Sequence, residues 1–181
     1  MNRTTDTTGL DALAAMFART KDARRAAFLP YFPIGFPTYA ESLDAIEAMA
    51  AAGVDGFEIG VPFSDPLADG PTIQAATQIA LENGVTVQRC LDAVRELRAR
   101  GVRQPMLLMG YLNPLLAYGP EAFAAAARSA GADGVIVPDL PPDESDLIGG
   151  ACAGQDLALV AFLAPTSTDR RIALAAERAT G

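Results

Sequence analysis

The chain has 181 residues, of which half are apolar and 20% are charged, and its formal net charge at pH 7 is −8. This length and composition are typical of one globular domain, and the acidic charge argues against binding to the phosphate backbone of nucleic acids. Histidine is absent, which excludes Ser-His-Asp triads, Cys-His pairs and histidine-ligated zinc sites and leaves proton transfer to carboxylates.

Helical and apolar segments alternate along the chain in a regular order. The apolar spacing from Gly9 to Arg24 predicts a helix, and the apolar run from Ala26 to Ile34 predicts a buried strand. The remaining predicted elements are, in order, a helix over 40–52, a strand over 56–61, helices over 72–83 and 87–100, a strand over 106–110, a helix over 120–130, a strand over 134–137, a helix over 142–154, a strand over 157–164 and a helix over 169–179. The sequence thus predicts an α/β fold of five strand-then-helix units after an N-terminal helix.

An internal repeat favours a (β/α)8 TIM barrel for this pattern. Ala-Gly-Val-Asp-Gly at 52–56 recurs 78 residues later as Ala-Gly-Ala-Asp-Gly at 130–134, and each copy ends a helix and begins a strand. A doubly wound sheet is less favoured because no G-x-G-x-x-G loop follows the first strand. A complete barrel needs roughly 250 residues, so residues 1–181 are expected to form one domain holding about the first five of the eight units.

Cysteine and lysine usage indicate the compartment and exclude one kind of chemistry. Cys90 and Cys152 have no paired spacing, which is typical of buried thiols in a reducing compartment. Residues 1–10 contain no apolar signal segment, and no run approaches the ~20 residues of a membrane span, so we expect a cytoplasmic protein without membrane contact. The single lysine, Lys21, lies on a predicted helix, which argues against an aldolase that forms a Schiff base.

The segment from Phe57 to Thr72 contains two candidate catalytic carboxylates. Glu58 lies inside an apolar strand, where an ionised carboxylate is costly unless it is paired or its pKa rises, so it is a candidate proton donor or acceptor. A structural ion pair with an arginine is the alternative interpretation. Asp69 follows in the loop after this strand, where it could meet Glu58 across a ligand, or it could simply cap or shape the start of the helix at Pro71.

Neighbouring strand ends supply further candidate residues for ligand binding. Asp139 ends the fourth strand on the same face, although a carboxylate in a turn before two prolines is commonly structural. Side chains from the first, third and fifth strands would line an apolar mouth, with core packing as the alternative. These side chains are Tyr31, Leu108, Tyr111 and Leu163.

Four segments closely resemble the tryptophan synthase alpha subunit family. They are residues 58–74, 108–114, 134–142 and 164–168, and the resemblance runs in register from about Phe28 to the last residue. The run Phe-Ser-Asp-Pro-Leu-Ala-Asp-Gly-Pro-Thr at 63–72 is long enough to be highly specific.

The resemblance implies a (β/α)8 barrel and a lyase reaction of tryptophan biosynthesis. In this reaction, indole-3-glycerol phosphate is cleaved to indole and glyceraldehyde 3-phosphate by a retro-aldol step that uses neither a metal nor an organic cofactor. Glu58 resembles the general acid/base that protonates the indole ring at C3 and takes the glycerol hydroxyl proton. Asp69 resembles the residue that binds the indole N–H. By the same resemblance, the indole pocket would consist of Tyr31, Leu108, Tyr111, Ile136 and Leu163.

The resemblance also implies a protein partner. Members of the family pair with a beta subunit that depends on pyridoxal phosphate and receives indole through a tunnel, in an αββα complex. Residues of the loops after the second, third and fourth strands would face that subunit, namely Pro62, Asp65, Asn113 and Pro141.

Two other functions stay open at this point. One is a different TIM-barrel enzyme that acts on a sugar phosphate and shares only the fold. The other is a non-catalytic partner of the beta subunit, because the chain reaches Gly181 where a sixth strand would begin. The phosphate site of such barrels is normally built by the loops after the seventh and eighth strands, which are not among these residues.

Overall fold

A computed structural model describes residues 8–180. Its α-helices are α1 (Gly9–Asp22), α2 (Tyr39–Ala51), α3 (Pro71–Glu82), α4 (Val87–Ala99), α5 (Leu112–Tyr118), α6 (Pro120–Ala130), α7 (Asp146–Ala153) and α8 (Asp169–Arg178). Its strands are β1 (Tyr31–Pro33), β2 (Phe57–Gly60), β3 (Met106–Met109), β4 (Gly134–Ile136) and β5 (Ala158–Val160). A 3-10 turn at Pro142–Glu144 precedes α7.

The predicted order of elements is confirmed, and the differences lie in their bounds and in one additional helix. Strands β1 and β5 are shorter than the predicted runs over 26–34 and 157–164. The predicted helix over 142–154 is divided into the 3-10 turn, in which the Ser145 N–H donates to the Pro142 carbonyl three residues before it (3.4 Å), and α7. Helix α5 was not predicted. It accommodates Pro114 because a proline in the first helical turn sacrifices no intrahelical hydrogen bond.

The five strands form one parallel sheet in the order β1-β2-β3-β4-β5. Each strand therefore pairs with the strand that follows it in sequence. A doubly wound sheet would instead reverse its strand order at a switch point, whereas a barrel adds its strands in sequence order. The structure accordingly contains the first five βα units of a (β/α)8 barrel, preceded by α1.

The two faces of the sheet have different surroundings because side chains alternate along each strand. The register aligns Glu58 of β2 with Tyr31 of β1 and Leu107 of β3, and we call the face that carries this row the inner face. Ile59 and Leu108 belong to the next row and point to the opposite, outer face, where they pack in a core with residues of α2, α4, α6 and α7.

Helix α1 covers part of the inner face. Its Leu13 and Met16 side chains pack with inner-face residues of β3, β4 and β5. Gly9 permits this approach because a Cβ atom there would collide with the carbonyl oxygen of Asp133 and come within 2.9 Å of that of Asp156. Because Gly9 has no side chain, the start of α1 can pack this closely against the backbone at Asp133 and Asp156.

The repeated Ala-Gly-X-Asp-Gly motif builds the same buried contact twice. The Asp55 carboxylate accepts the N–H of Phe28 (2.9 Å), and the Asp55 N–H donates to the Phe28 carbonyl (2.9 Å). The Asp133 carboxylate likewise accepts the N–H of Met106 (2.9 Å), and the Asp133 N–H donates to the Met106 carbonyl (2.8 Å). The repeat seen in the sequence therefore reflects an aspartate that joins the start of one strand to the strand before it.

An arginine completes each of these contacts. Arg25 forms two hydrogen bonds to Asp55, at 2.6 and 2.8 Å, and Arg19 adds a third at 3.3 Å. Arg98 donates to Asp133 at 2.7 Å. The hydrogen bonds from Arg25 and from the Phe28 N–H hold the pKa of Asp55 well below its usual range.

Asp55 should make stability depend on pH in the acid range. Its pKa is lower in the folded protein than in the unfolded chain, so its contribution is complete above about pH 4 and is lost as the pH falls. We expect Asp55→Asn to unfold at a lower urea concentration than the wild type at pH 7, with a difference that narrows toward pH 3.

The exposed pair of Asp92 with Arg95 provides a matched control. Because exposed pairs contribute about 0–1 kcal/mol, Asp92→Asn should lie close to the wild type throughout. A deficit of Asp55→Asn that is the same at pH 7 and pH 3 would contradict this assignment.

Two further features bear on the sequence predictions, namely the state of the cysteines and the character of the helices. Cys90 and Cys152 are both buried free thiols, as their unpaired spacing predicts. Within residues 8–180, no helix combines the length and apolar character that crossing a membrane requires.

Candidate functional site

Glu58 lies in the middle of β2 on the inner face, where its side chain is partly buried. Among residues 8–180 it has no hydrogen-bond or ion-pair partner, so the alternative of a structural pair with an arginine is wrong. Burial raises the pKa of the carboxyl group above its ordinary value. A carboxyl group with a raised pKa and no fixed partner can hold a proton closer to neutral pH and exchange it with a ligand.

Tyr31 lies beside Glu58, on β1, and extends across Gly60 of the neighbouring strand. A Cβ atom at Gly60 would collide with the Tyr31 hydroxyl and lie 2.6 Å from its ring carbon Cζ. Burial, and then the nearby Asp69 carboxylate, raise the pKa of Tyr31. Tyr31 therefore stays protonated, and its ring forms one wall of the site next to Glu58.

Asp69 reaches the site from the β2–α3 loop and meets Tyr111, which directly follows β3. The Tyr111 hydroxyl donates to Asp69 Oδ2 (3.1 Å) and accepts the backbone N–H of Ala68 (2.8 Å). Gly70, not Asp69, is the N-cap of α3, and no side chain caps that helix. The interpretation of Asp69 as a helix cap is therefore wrong, since its carboxylate points to Tyr111.

A small cleft joins Tyr31, Asp69 and Tyr111 at the C-terminal ends of the first four strands, and Glu58 is not among the residues that line it. Its lining combines aromatic and polar side chains with the backbone of the β2 and β3 ends: Tyr31, Val61, Phe63, Pro66, Asp69, Thr77, Met109, Gly110, Tyr111 and Pro138. Apolar walls with a few polar groups are typical of ligand pockets, although the free volume of this cleft, about 10 Å³, is only that of one water molecule.

Leu108 does not line this cleft, and its prediction as a pocket residue is wrong. It pairs with Ile59 and is buried in the outer-face core, because consecutive strand side chains point to opposite faces. Met109, which the sequence analysis missed, takes its place on the inner face and lines the cleft. The register of β3 with β2 places Met109, and not Leu108, on the face that carries Glu58.

Ile136 and Leu163, two residues predicted for the indole pocket, lie in different surroundings. Ile136 ends β4 on the inner face, beside Met109 in the register, and is buried there. Leu163 lies beyond the end of β5 and is 46% exposed, because the strand stops at Val160 rather than at 164. The structure brings Ile136 toward the predicted site residues but leaves Leu163 outside the cleft.

Asp139 is exposed in the loop after β4 and makes a structural contact. Its Oδ1 accepts the backbone N–H of Leu112 (2.9 Å), the first residue of α5. This bond satisfies one of the amide groups that a helix start leaves free and joins the loop after β4 to the loop after β3. The contact agrees with the structural interpretation of a turn carboxylate.

The predicted interface residues occupy the same end of the sheet but differ in accessibility. Asp65 and Asn113 are exposed, and Asp65 accepts a hydrogen bond from the Ser64 hydroxyl (2.6 Å). Pro141 is partly buried. Pro62 is buried within the chain, just after β2, and its contact with a partner stays a prediction. In the described part of the chain, no three acidic or cysteine side chains gather closely enough to hold a metal ion.

Comparisons with known proteins agree with this fold. Residues 17–181 match the family model described as tryptophan synthase alpha chain. The tryptophan synthase alpha chain of Chloroflexus aurantiacus is 50% identical over 172 residues, which cover 95% of this chain and 65% of the relative. That of Roseiflexus sp. is 48% identical and is covered to 66% of its length.

Solved structures are similar over nearly the whole chain as well. Tryptophan synthase subunit alpha from Legionella pneumophila superimposes with a TM-score of 0.90 at 34% identity, over 96% of this chain and 65% of that one. A chain of Mycobacterium tuberculosis tryptophan synthase gives 0.88 at 40% identity, over 92% and 64%. This chain thus spans just under two thirds of the length of these relatives. With matches of this extent in sequence and in structure, the chain belongs to the tryptophan synthase alpha chain family.

Proposed function

We propose that the protein contributes the alpha reaction of tryptophan biosynthesis in the cytoplasm. This lyase reaction cleaves indole-3-glycerol phosphate to indole and glyceraldehyde 3-phosphate. Glu58 is the observation that carries the proposal, since it is partly buried, lacks a partner among the described residues and lies on the inner face of the sheet. The proposed substrate rests on membership of the family, and the proposed chemistry rests on the residues of the site.

The proposed chemistry needs one proton delivered and one removed. The Glu58 carboxyl group protonates C3 of the indole ring, which turns the ring into an electron-poor indolenine. The resulting carboxylate then accepts the proton of the hydroxyl group on the adjacent glycerol carbon. As the C=O bond of the aldehyde forms, the carbon–carbon bond to C3 breaks and its electron pair restores the aromatic ring. Positioned acid–base groups of this kind typically accelerate reactions by about 10²–10⁴-fold.

Asp69 stabilises the charge that this reaction creates. Protonation at C3 leaves the ring nitrogen electron-poor, and a fixed carboxylate that accepts the indole N–H offsets that charge. Its Oδ2 is held by Tyr111, while Oδ1 has no hydrogen-bond partner among residues 8–180. No metal and no organic cofactor is required in this proposal, because both steps are proton transfers between a carboxyl group and the substrate.

We also propose that two exposed residues at the site end of the sheet, Asp65 in the β2–α3 loop and Asn113 in the first turn of α5, contact the beta subunit of tryptophan synthase. That partner depends on pyridoxal phosphate, and the complex would have the αββα arrangement. Asp65 shares its loop with Asp69, and Asn113 lies two residues after Tyr111. Binding of the partner would thereby be coupled to the geometry of the site.

Indole release from indole-3-glycerol phosphate, followed by its ultraviolet absorbance, tests the proposal. The assay uses the 181-residue chain with and without a tryptophan synthase beta subunit, whose association is measured separately by sedimentation. We expect indole release that increases when the beta subunit binds. Binding without indole release at any enzyme concentration would contradict catalysis and favour a non-catalytic partner, and turnover of a sugar phosphate alone would favour a different barrel enzyme.

A further inference from the structure

Among residues 8–180, Gln74 of α3 donates to the Asp69 carbonyl (2.8 Å), and the hydrogen bonds that join residues 66–69 of the β2–α3 loop to sequence-distant residues all involve one hydroxyl group. The backbone bonds within this loop are local, from Leu67 N–H to the Asp65 carbonyl (2.9 Å) and from Asp69 N–H to the Pro66 carbonyl (3.0 Å). Leu67 is 93% exposed, so its side chain does not anchor the loop. The Tyr111 hydroxyl, more than 40 residues away in sequence, supplies the long-range contact.

The two hydrogen bonds of Tyr111 have a fixed direction. The Ala68 amide can only donate, so the phenol oxygen accepts from it at 2.8 Å. The single phenol proton is then available for Asp69 Oδ2, at 3.1 Å. One hydroxyl group therefore binds the loop backbone and its carboxylate at once, and such linked bonds reinforce each other.

The Tyr111 ring is rigidly held. It is 5% exposed, its centroid lies 5.4 Å from that of Phe63, and it occupies the N-cap position of α5 immediately after β3. The position of the Asp69 carboxylate is accordingly set by a residue near the end of a buried strand and not by a mobile surface group. Catalytic groups need this kind of support because small displacements reduce the rate.

We propose that Tyr111 is the positioning residue for Asp69. Its hydroxyl group fixes the β2–α3 loop so that Asp69 Oδ1 is presented to the indole N–H, a role additional to lining the pocket. The inference rests on the proposed function for its catalytic consequence, but the structural part, anchoring of Ala68 and Asp69, stands without any turnover.

Tyr111→Phe tests the proposal because it removes the hydroxyl group and keeps the ring. Tyr118→Phe is the matched control, since the Tyr118 hydroxyl bonds to Gln88 (2.7 Å) and its ring packs on Phe123, away from the site. In hydrogen-exchange measurements on the whole chain, we expect the Ala68 amide to exchange about tenfold faster in Tyr111→Phe, as the loss of one hydrogen bond predicts. Tyr118→Phe should exchange at the wild-type rate there.

The kinetic part compares the same variants with indole-3-glycerol phosphate. Tyr111→Phe should lower kcat by about tenfold or more with a smaller change in KM, because Asp69 acts on charge that develops only in the transition state. Equal Ala68 exchange in Tyr111→Phe and wild type, or faster exchange with unchanged kcat, would overturn the positioning role. If the wild type shows no turnover, the proposed function fails, while the exchange measurement still decides whether Tyr111 anchors the loop.

Discussion

Replacing Glu58 by glutamine should stabilise the protein at neutral pH. Burial raises the pKa of Glu58 in the folded state, so its ionised form disfavours folding. A group whose folded pKa is raised contributes most below its unfolded pKa and loses that contribution as the pH rises through the folded value. Glutamine resembles the protonated acid at every pH, so Glu58→Gln should unfold at a higher urea concentration than the wild type at pH 7.

The gain in stability should disappear in acid. Below about pH 4, the wild-type carboxyl group is protonated in both states, and the two proteins should unfold at the same urea concentration. Glu82→Gln is the control for the chemical change, because Glu82 is exposed at the end of α3, where its side chain accepts a hydrogen bond from Gln78 (2.9 Å). A loss of stability in Glu58→Gln at pH 7 would mean that Glu58 has a structural partner.

The same substitution should remove turnover. Without a group that can donate and accept the proton, indole release should fall by about 10²–10⁴-fold. Ligand binding should stay measurable, because the glutamine side chain has nearly the same size. The expected pattern, in which a protein becomes more stable as it becomes inactive, is typical of active-site groups held in costly surroundings.

Removing Asp133 should cause the largest loss of stability among the residues considered. Its side chain is fully buried, and it accepts both from Arg98, whose side chain is 13% exposed, and from the Met106 N–H. Asp133→Ala leaves a buried cation and a buried amide short of an acceptor, which costs about 3–5 kcal/mol. This is a large part of the about 5–15 kcal/mol that stabilises a typical domain.

Urea unfolding at pH 7 measures this loss. Asp92→Ala is the matched control, because its pair with Arg95 is exposed and should be worth less than about 1 kcal/mol. If Asp133→Ala does not fold, Asp133→Asn keeps an acceptor oxygen for Met106 and should show a smaller loss of the same sign. Equal free energies of unfolding for the Asp133 and Asp92 variants would contradict the buried role.

The sequence predicted the order of elements because each depends on local signals. The amphipathic spacing of the helices, their capping residues and the short apolar runs between glycines or prolines all lie within about fifteen residues. The repeated motif also indicated a repeated structure. The contact that this motif makes, through a buried aspartate that joins two neighbouring segments, is visible only in the structure. Helix α5 was missed because seven residues that contain a proline give a weak helical signal.

The side-chain geometry of the site could be predicted only in part. Glu58 was found because a carboxylate in an apolar strand is unusual. Leu108 was predicted for the pocket in place of Met109. A sequence motif indicates which segment lies near the site, but the face of the sheet on which a side chain lies depends on the register with β2. The contact of Asp69 with Tyr111 joins residues more than 40 positions apart, which no local pattern encodes.

Proton transfer by Glu58 to C3 of the indole ring is the central claim, and isotope incorporation tests it most directly. Indole-3-glycerol phosphate is cleaved in D2O, and the product indole is examined by NMR before free indole exchanges with the solvent, with an enzyme-free indole sample as the blank. We predict that wild-type indole carries deuterium at C3 and that Glu58→Gln forms labelled indole about 10²–10⁴-fold more slowly. Labelled indole formed by Glu58→Gln at the wild-type rate would contradict the role of Glu58 as the proton donor to C3.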